Sequence, residues 1–141
     1  MTIDDGTVQL LTTAAQAAAR VKAQRIVAID VTSRLPLTDA FLLASGTNEN
    51  QVSAIVREVE NDAARLGRHT MRREGLSEGR WALLDFGDVI VHVQHAQDRD
   101  FYGLDRLWKD CPTVPLPGVE TGDGGAGEDI EAARLGLVGV R

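Results

Sequence analysis

Residues 81–94, WALLDFGDVIVHVQ, constrain this chain more than any other stretch. Two apolar-rich runs, Trp81 to Phe86 and Val89 to Gln94, flank Gly87-Asp88, a two-residue connection of the kind that closes a β-hairpin. Such a turn leaves one pairing: Phe86 faces Val89, Leu84 faces Val91 and Ala82 faces Val93. These six residues form a wholly apolar face, which must be the core side. The other face carries Trp81, Leu83, Asp85, Ile90, His92 and Gln94. It mixes large apolar groups with polar ones that resist burial without partners. We expect it to lie in water as an apolar patch of the type that marks an interface. The competing reading is that the next helix folds over it, with Leu104, Leu107 and Trp108 burying it internally.

The rest of the chain supplies a frame for this hairpin. Val8, Leu11, Ala15, Ala18 and Ala19 recur at helical spacing and predict a first helix near 7–22. Ile26 to Val31 reads as a strand. Ala40 to Ala44 is continuously apolar, as a central strand buried on both faces would be. Asn48 precedes Gln51 by three residues, the spacing of a capping box. Val52, Ile55, Val56, Val59, Ala63 and Leu66 then form one apolar stripe, and Gly67 ends that helix. A polar, arginine-bearing strand near 69–74 suits a sheet edge. A short helix near 99–109 stops at Pro112. The predicted fold class is α/β in the α+β sense: one mixed sheet of about five strands, two long helices on one face and a short C-terminal helix.

Composition changes at Pro112. Residues 112–141 hold seven of the fourteen glycines, three of the four prolines and no aromatic residue, with five acids against two arginines. We expect a domain over 1–111 and a flexible, acidic Gly/Pro-rich tail over 112–141 that is dispensable for folding. Within the tail, 128–137 is a candidate short helix. No apolar run reaches the roughly 20 residues of a membrane span, and the acidic N-terminus, Met1-Thr2-Ile3-Asp4-Asp5, does not resemble a signal peptide. A single cysteine, Cys111, forms no internal disulfide and no structural zinc site. The expected location is the cytoplasm. A net charge of −6 argues against a nucleic-acid binder that works by neutralising phosphates and is compatible with a basic protein partner.

Candidate chemistry is sparse. A phosphoryl-transfer enzyme needs closely spaced carboxylates to hold Mg²⁺. Asp85 and Asp88 are three apart with the turn between them, while Asp30 and Asp39 belong to other strand ends. No GxxxxGK[ST] phosphate loop occurs. His92 has a general base's chemistry but no Ser or Cys nucleophile beside it in sequence. His92, His95 and Cys111 lack the spacing of a metal site. We expect no catalytic residue, no cofactor and no metal. Arg65, Arg68, His69, Arg72 and Arg73 form a basic cluster, read either as a solvated helix end and edge strand or as a contact to RNA phosphates.

Two blocks carry a family likeness: Asp30-Val31 with Asp39-Ala-Phe-Leu-Leu-Ala-Ser45-Gly46-Thr-Asn48-Glu-Asn-Gln51-Val-Ser-Ala-Ile55, and Trp81 to Val93 followed by Arg99-Asp-Phe-Tyr102-Gly-Leu104-Asp105-Arg-Leu107-Trp108. In order and spacing they resemble the ribosomal silencing factor (Iojap-like) family over roughly residues 8–110. Ala40 departs from it, standing where the family often has an aromatic residue, and the Gly-rich tail exceeds a minimal member. The resemblance implies a nucleotidyltransferase-like fold without the catalytic set. It also implies a translational repressor that binds the large ribosomal subunit through its protein number fourteen and blocks joining of the small subunit when nutrients are scarce. A homodimer in the free state is implied as well. The alternative is a nucleotidyltransferase-like phosphoryl-transfer enzyme. The expected ribosomal-protein-binding residues are Trp81, Leu83, Asp85, Asp88, Ile90, His92, Tyr102 and Leu104, with Trp81 the anchor.

Overall fold

The computed structural model describes residues 3–119. Its helices begin where the sequence supplies caps. Asp4 accepts the Thr7 N–H at 2.9 Å and starts α1 (Asp5–Arg20), satisfying one of the free donors at a helix start. Asn48 accepts the Gln51 N–H at 2.9 Å and starts α2 (Glu49–Arg65). Gln51 does not close the expected capping box on the Asn48 N–H but reaches one residue further back. Its Oε1 accepts the Thr47 N–H at 2.7 Å, and its Nε2 donates to the Val21 and Lys22 carbonyls, both at 3.0 Å. The start of α2 is thus tied to the end of α1, and the two helices lie together on one face of the sheet.

That sheet has six strands: β1 (Gln24–Asp30), β2 (Ala40–Gly46), β3 (Arg72–Glu74), β4 (Trp81–Asp85), β5 (Val89–His95) and β6 (Thr113–Val114). Their order is β3-β4-β5-β2-β1-β6. Only β2 and β5 pair in parallel. A parallel pair needs a long crossover, here supplied by α2, β3 and β4. The hairpin has the register that its turn dictates: Ala82 opposite Val93, Leu84 opposite Val91, and the Phe86 N–H on the Val89 carbonyl at 2.9 Å. Gly87 makes the turn with φ +98°, in the left-handed region that glycine enters without strain. Every residue of β2 is buried, as continuous apolarity requires of a strand covered on both faces.

The main core lies between the sheet and the two long helices. Leu10, Leu11, Ala14, Leu42, Ile55, Val59, Leu84, Val91 and Val93 are fully buried there. The opposite face is not left to water as expected. A second core of Val27, Ile29, Val31, Phe41, Leu43, Leu104 and Cys111 forms on it. In place of one helix over 99–109 there are two, α3 (Ala96–Tyr102) and α4 (Leu104–Leu107). Helix α3 starts early because the His95 ring accepts the Gln97 N–H at 3.2 Å. It stops at Gly103, whose φ of +64° turns the chain into α4.

The chain also stays on the fold beyond Pro112. The Pro112 carbonyl accepts the Asp30 N–H at 2.8 Å, β6 pairs with β1, and Leu116 is buried in the main core. Residues 112–119 therefore pack against the domain rather than leave it at 111. The candidate helix over 128–137 lies outside the described residues.

Candidate functional site

Three rows of side chains cross the face beneath α3 and α4. Register places Trp81 of β4 beside Gln94 of β5 and Ser45 of β2 in the first row, Leu83 beside His92 and Leu43 in the second, and Asp85 beside Ile90 and Phe41 in the third. Helices α3 and α4 cover the β5–β2–β1 side of these rows and leave the β4 side open. Accordingly Leu43 and Ser45 are buried, while Trp81, Leu83, Asp85 and Ile90 are half-buried. This corrects the expectation of a face fully in water: Gln94 is completely buried and His92 is only 7% exposed.

An aromatic cluster marks the boundary between covered and open parts. The Tyr102 ring lies against Trp81 with centroids 4.8 Å apart and planes inclined at 44°. Phe101 meets Tyr102 edge-on at 5.0 Å. Tyr102 is 52% exposed and Phe101 78%. Trp81 points its indole N–H inward, donating to Nδ1 of His92 at 3.1 Å. The indole edge of Trp81 is thereby fixed, and its half-buried ring lies between the second core and the exposed Tyr102.

Buried against Phe41, His92 has an unfavourable place for a charge. Burial, with the Arg99 guanidinium adding to it, pushes its imidazole down to about 4. His92 is therefore neutral at physiological pH, accepts at Nδ1 and is a support for Trp81 rather than a surface contact. Leu104, 9% exposed, belongs to the second core. It too supports the surface instead of forming it.

Asp88 is also displaced from its expected place. It turns to the helix-bearing side, where Oδ2 accepts from the Thr7 hydroxyl at 2.6 Å and Oδ1 pairs with Arg68. Asp85 stays on the open face. Its Oδ1 accepts the Gly87 N–H at 2.8 Å, and Arg72 approaches Oδ2 at 3.6 Å. The two carboxylates thus point to opposite sides of the hairpin and share no site. No group of three or more metal-ligating side chains converges among the described residues.

The four arginines of the basic cluster each have a carboxylate partner. Arg65 pairs with Asp62 at 2.7 Å, Arg68 with Asp88, Arg72 with Glu74 at 3.3 Å, and Arg73 with Glu60 through two bonds at 2.7 and 3.0 Å. Paired guanidiniums offer a phosphate much less than free ones do. This favours the solvated-face reading of these arginines.

Sequence reasoning passed over Phe101 and Arg34, and it placed Leu107 among the groups that could bury this face. Phe101 widens the exposed aromatic area, and its signal was available as the dipeptide Phe101-Tyr102 just before a glycine. Leu107, 58% exposed, adds an apolar group on α4. Arg34, from the β1–β2 loop, lies over the Trp108 ring at 4.7 Å and fixes the far end of α4. That placement is a long-range contact with no local signal.

Comparison with known proteins finds a family likeness over most of the chain. Residues 4–135 match the family model described as "Ribosomal silencing factor during starvation". Ribosomal silencing factor RsfS of Halalkalibacterium halodurans is 41% identical over 111 residues, covering 79% of this chain and 95% of that one. The protein of the same name from Bacillus subtilis is 39% identical over 107 residues, covering 76% and 91%. A crystal structure from Bacillus halodurans superposes with a TM-score of 0.67 at 38% identity, over 80% of this chain and all of that one.

Proposed function

We propose, from the premise that this chain belongs to the ribosomal silencing factor family, that it represses translation by binding the large ribosomal subunit and blocking its joining to the small one. The docking surface is the open face of the hairpin with the end of α3: Trp81, Leu83, Asp85, Ile90, Phe101 and Tyr102. The observation that carries this reading is the Trp81–Tyr102 pair: His92 holds the Trp81 indole from beneath, and Tyr102 is half-exposed above it. Acids border it. Asp85 lies on the face, Asp100 is exposed beside Phe101, and the chain's net charge is −6. An apolar centre with an acidic rim suits a basic ribosomal protein, which we take to be large-subunit protein number fourteen. Contact with ribosomal RNA is at most peripheral, since the arginines nearest the hairpin are paired.

The protein acts in the cytoplasm, where its target is, and no described helix is long and apolar enough to cross a membrane. In the free state it forms a homodimer. Sedimentation of purified subunits with saturating protein tests the central step. Full ribosomes should give way to separate subunits. A profile identical to that without the protein would contradict the reading.

A further inference from the structure

Arg99 is the largest fully buried side chain described, with 0% exposure. Its Nε and Nη2 grip the Asp105 carboxylate at 2.7 and 2.8 Å, and Nη1 donates to the Ser45 hydroxyl at 2.8 Å. Burial alone would raise the Asp105 carboxyl, but the hydrogen bonds and charge of Arg99 outweigh it and hold the group below the usual carboxylate range. Arg25 of β1 adds a second strut, 2.6 Å from Asp100 and 3.8 Å from Asp105.

The position of this clasp matters more than its strength. Arg99 sits on α3 and Asp105 on α4, so their ion pair spans the Gly103 bend. Ser45 ties the same guanidinium to β2, the central strand. Tyr102 is the last residue of α3, directly before the bend. Its ring lands on Trp81 only if the bend has one angle and α3 has one height above the sheet. An apolar contact between two short helices would tolerate sliding. A planar guanidinium held on both edges of a carboxylate does not. Buried ion pairs seldom add net stability over apolar packing of the same shape, so another role accounts better for a fully buried arginine here.

We infer that Arg99, through Asp105 and Ser45, is a positioning residue that sets Tyr102 against Trp81 and so shapes the docking surface. The inference rests on the proposed docking role for its effect on binding, but not for its effect on geometry. Two variants test it: Arg99→Lys, which keeps charge without the fork, and Arg99→Met with Asp105→Leu, which replaces the pair by apolar groups and guards against misfolding. In a Trp108→Phe background Trp81 is the sole tryptophan and its fluorescence reports its surroundings alone. Both variants should keep the native far-ultraviolet circular dichroism while Trp81 emission shifts to the red. Large-subunit binding should fall about tenfold, or about 1.4 kcal/mol. Adding Tyr102→Ala should cost nothing further, since that contact is already lost.

Leu84→Ala, a core lesion on the other face, should destabilise the protein without the emission shift. Wild-type emission and binding in the apolar-pair variant would overturn the inference, as would losses that add fully to those of Tyr102→Ala. If Trp81→Ala binds large subunits normally, the docking reading has failed, and the emission shift still decides the role of Arg99.

Discussion

His92 illustrates how a residue of catalytic type becomes a structural one. Its Nδ1 must be unprotonated to accept from Trp81, and the proton of the neutral ring is then on Nε2. Lowered from 6.5 to about 4 by burial, it binds a proton more readily in the unfolded chain than in the folded one. Its contribution is therefore complete above pH 6.5 and is lost as pH falls from 6.5 toward 4, by about 3 kcal/mol at most. Urea titrations at pH 7 and pH 4.5 should show this loss, and His92→Gln should flatten it. Two neighbours on opposite faces separate function from stability. Trp81→Ala should weaken large-subunit binding by about tenfold or more with the fold intact, measured by co-sedimentation. Leu84→Ala should lower unfolding free energy by about 2–5 kcal/mol through a core cavity, measured by denaturant titration. The placing of Trp81 on the face away from the main core was legible because a period-2 pattern assigns faces. The burial of His92, Gln94 and Leu104 was not, because no strand pattern says how far a later helix will fold back over a face.

Among the elements, those with local punctuation were readable. Asn48 and Gln51 mark the start of α2, and Gly87-Asp88 fixes the hairpin register, because caps and tight turns are decided by a few adjacent residues. The division of the last helix was signalled by Gly103, yet the expected single helix ran through it. Strand β6 had no signal at all. Two residues between Pro112 and Pro115 become a strand only by pairing with β1. This bears on the tail. Truncation after Pro115 removes Leu116, which is buried in the main core, and should lower stability by about 1.5–3 kcal/mol. Truncation after Val119 keeps Leu116 and should retain that stability. Thermal melts of the two shortened proteins check both expectations.

At the scale of the whole molecule, one mixed sheet with two long helices on one face was readable, because hydrophobic period and element order are global properties. The second layer of α3 and α4 was the part that long-range packing decided. The two sheet edges are short, with three residues in β3 and two in β6. The β3 edge carries Arg72 and Arg73, and prolines flank β6, features that discourage strand addition. On the half-covered face Phe101 and Tyr102 remain exposed. Asp85 and Asp88 are held on opposite sides of the hairpin and share no metal site. Incubation with nucleoside triphosphates and Mg²⁺ should release no pyrophosphate. The central claim is that the aromatic face meets the large subunit, and a photocrosslinker reads this contact directly. With p-benzoylphenylalanine in place of Phe101, irradiation with purified large subunits should yield an adduct to protein number fourteen, and the same group in place of Arg57 on exposed α2 should yield none. An adduct from position 57 but not 101, or one from 101 to ribosomal RNA alone, would contradict the account.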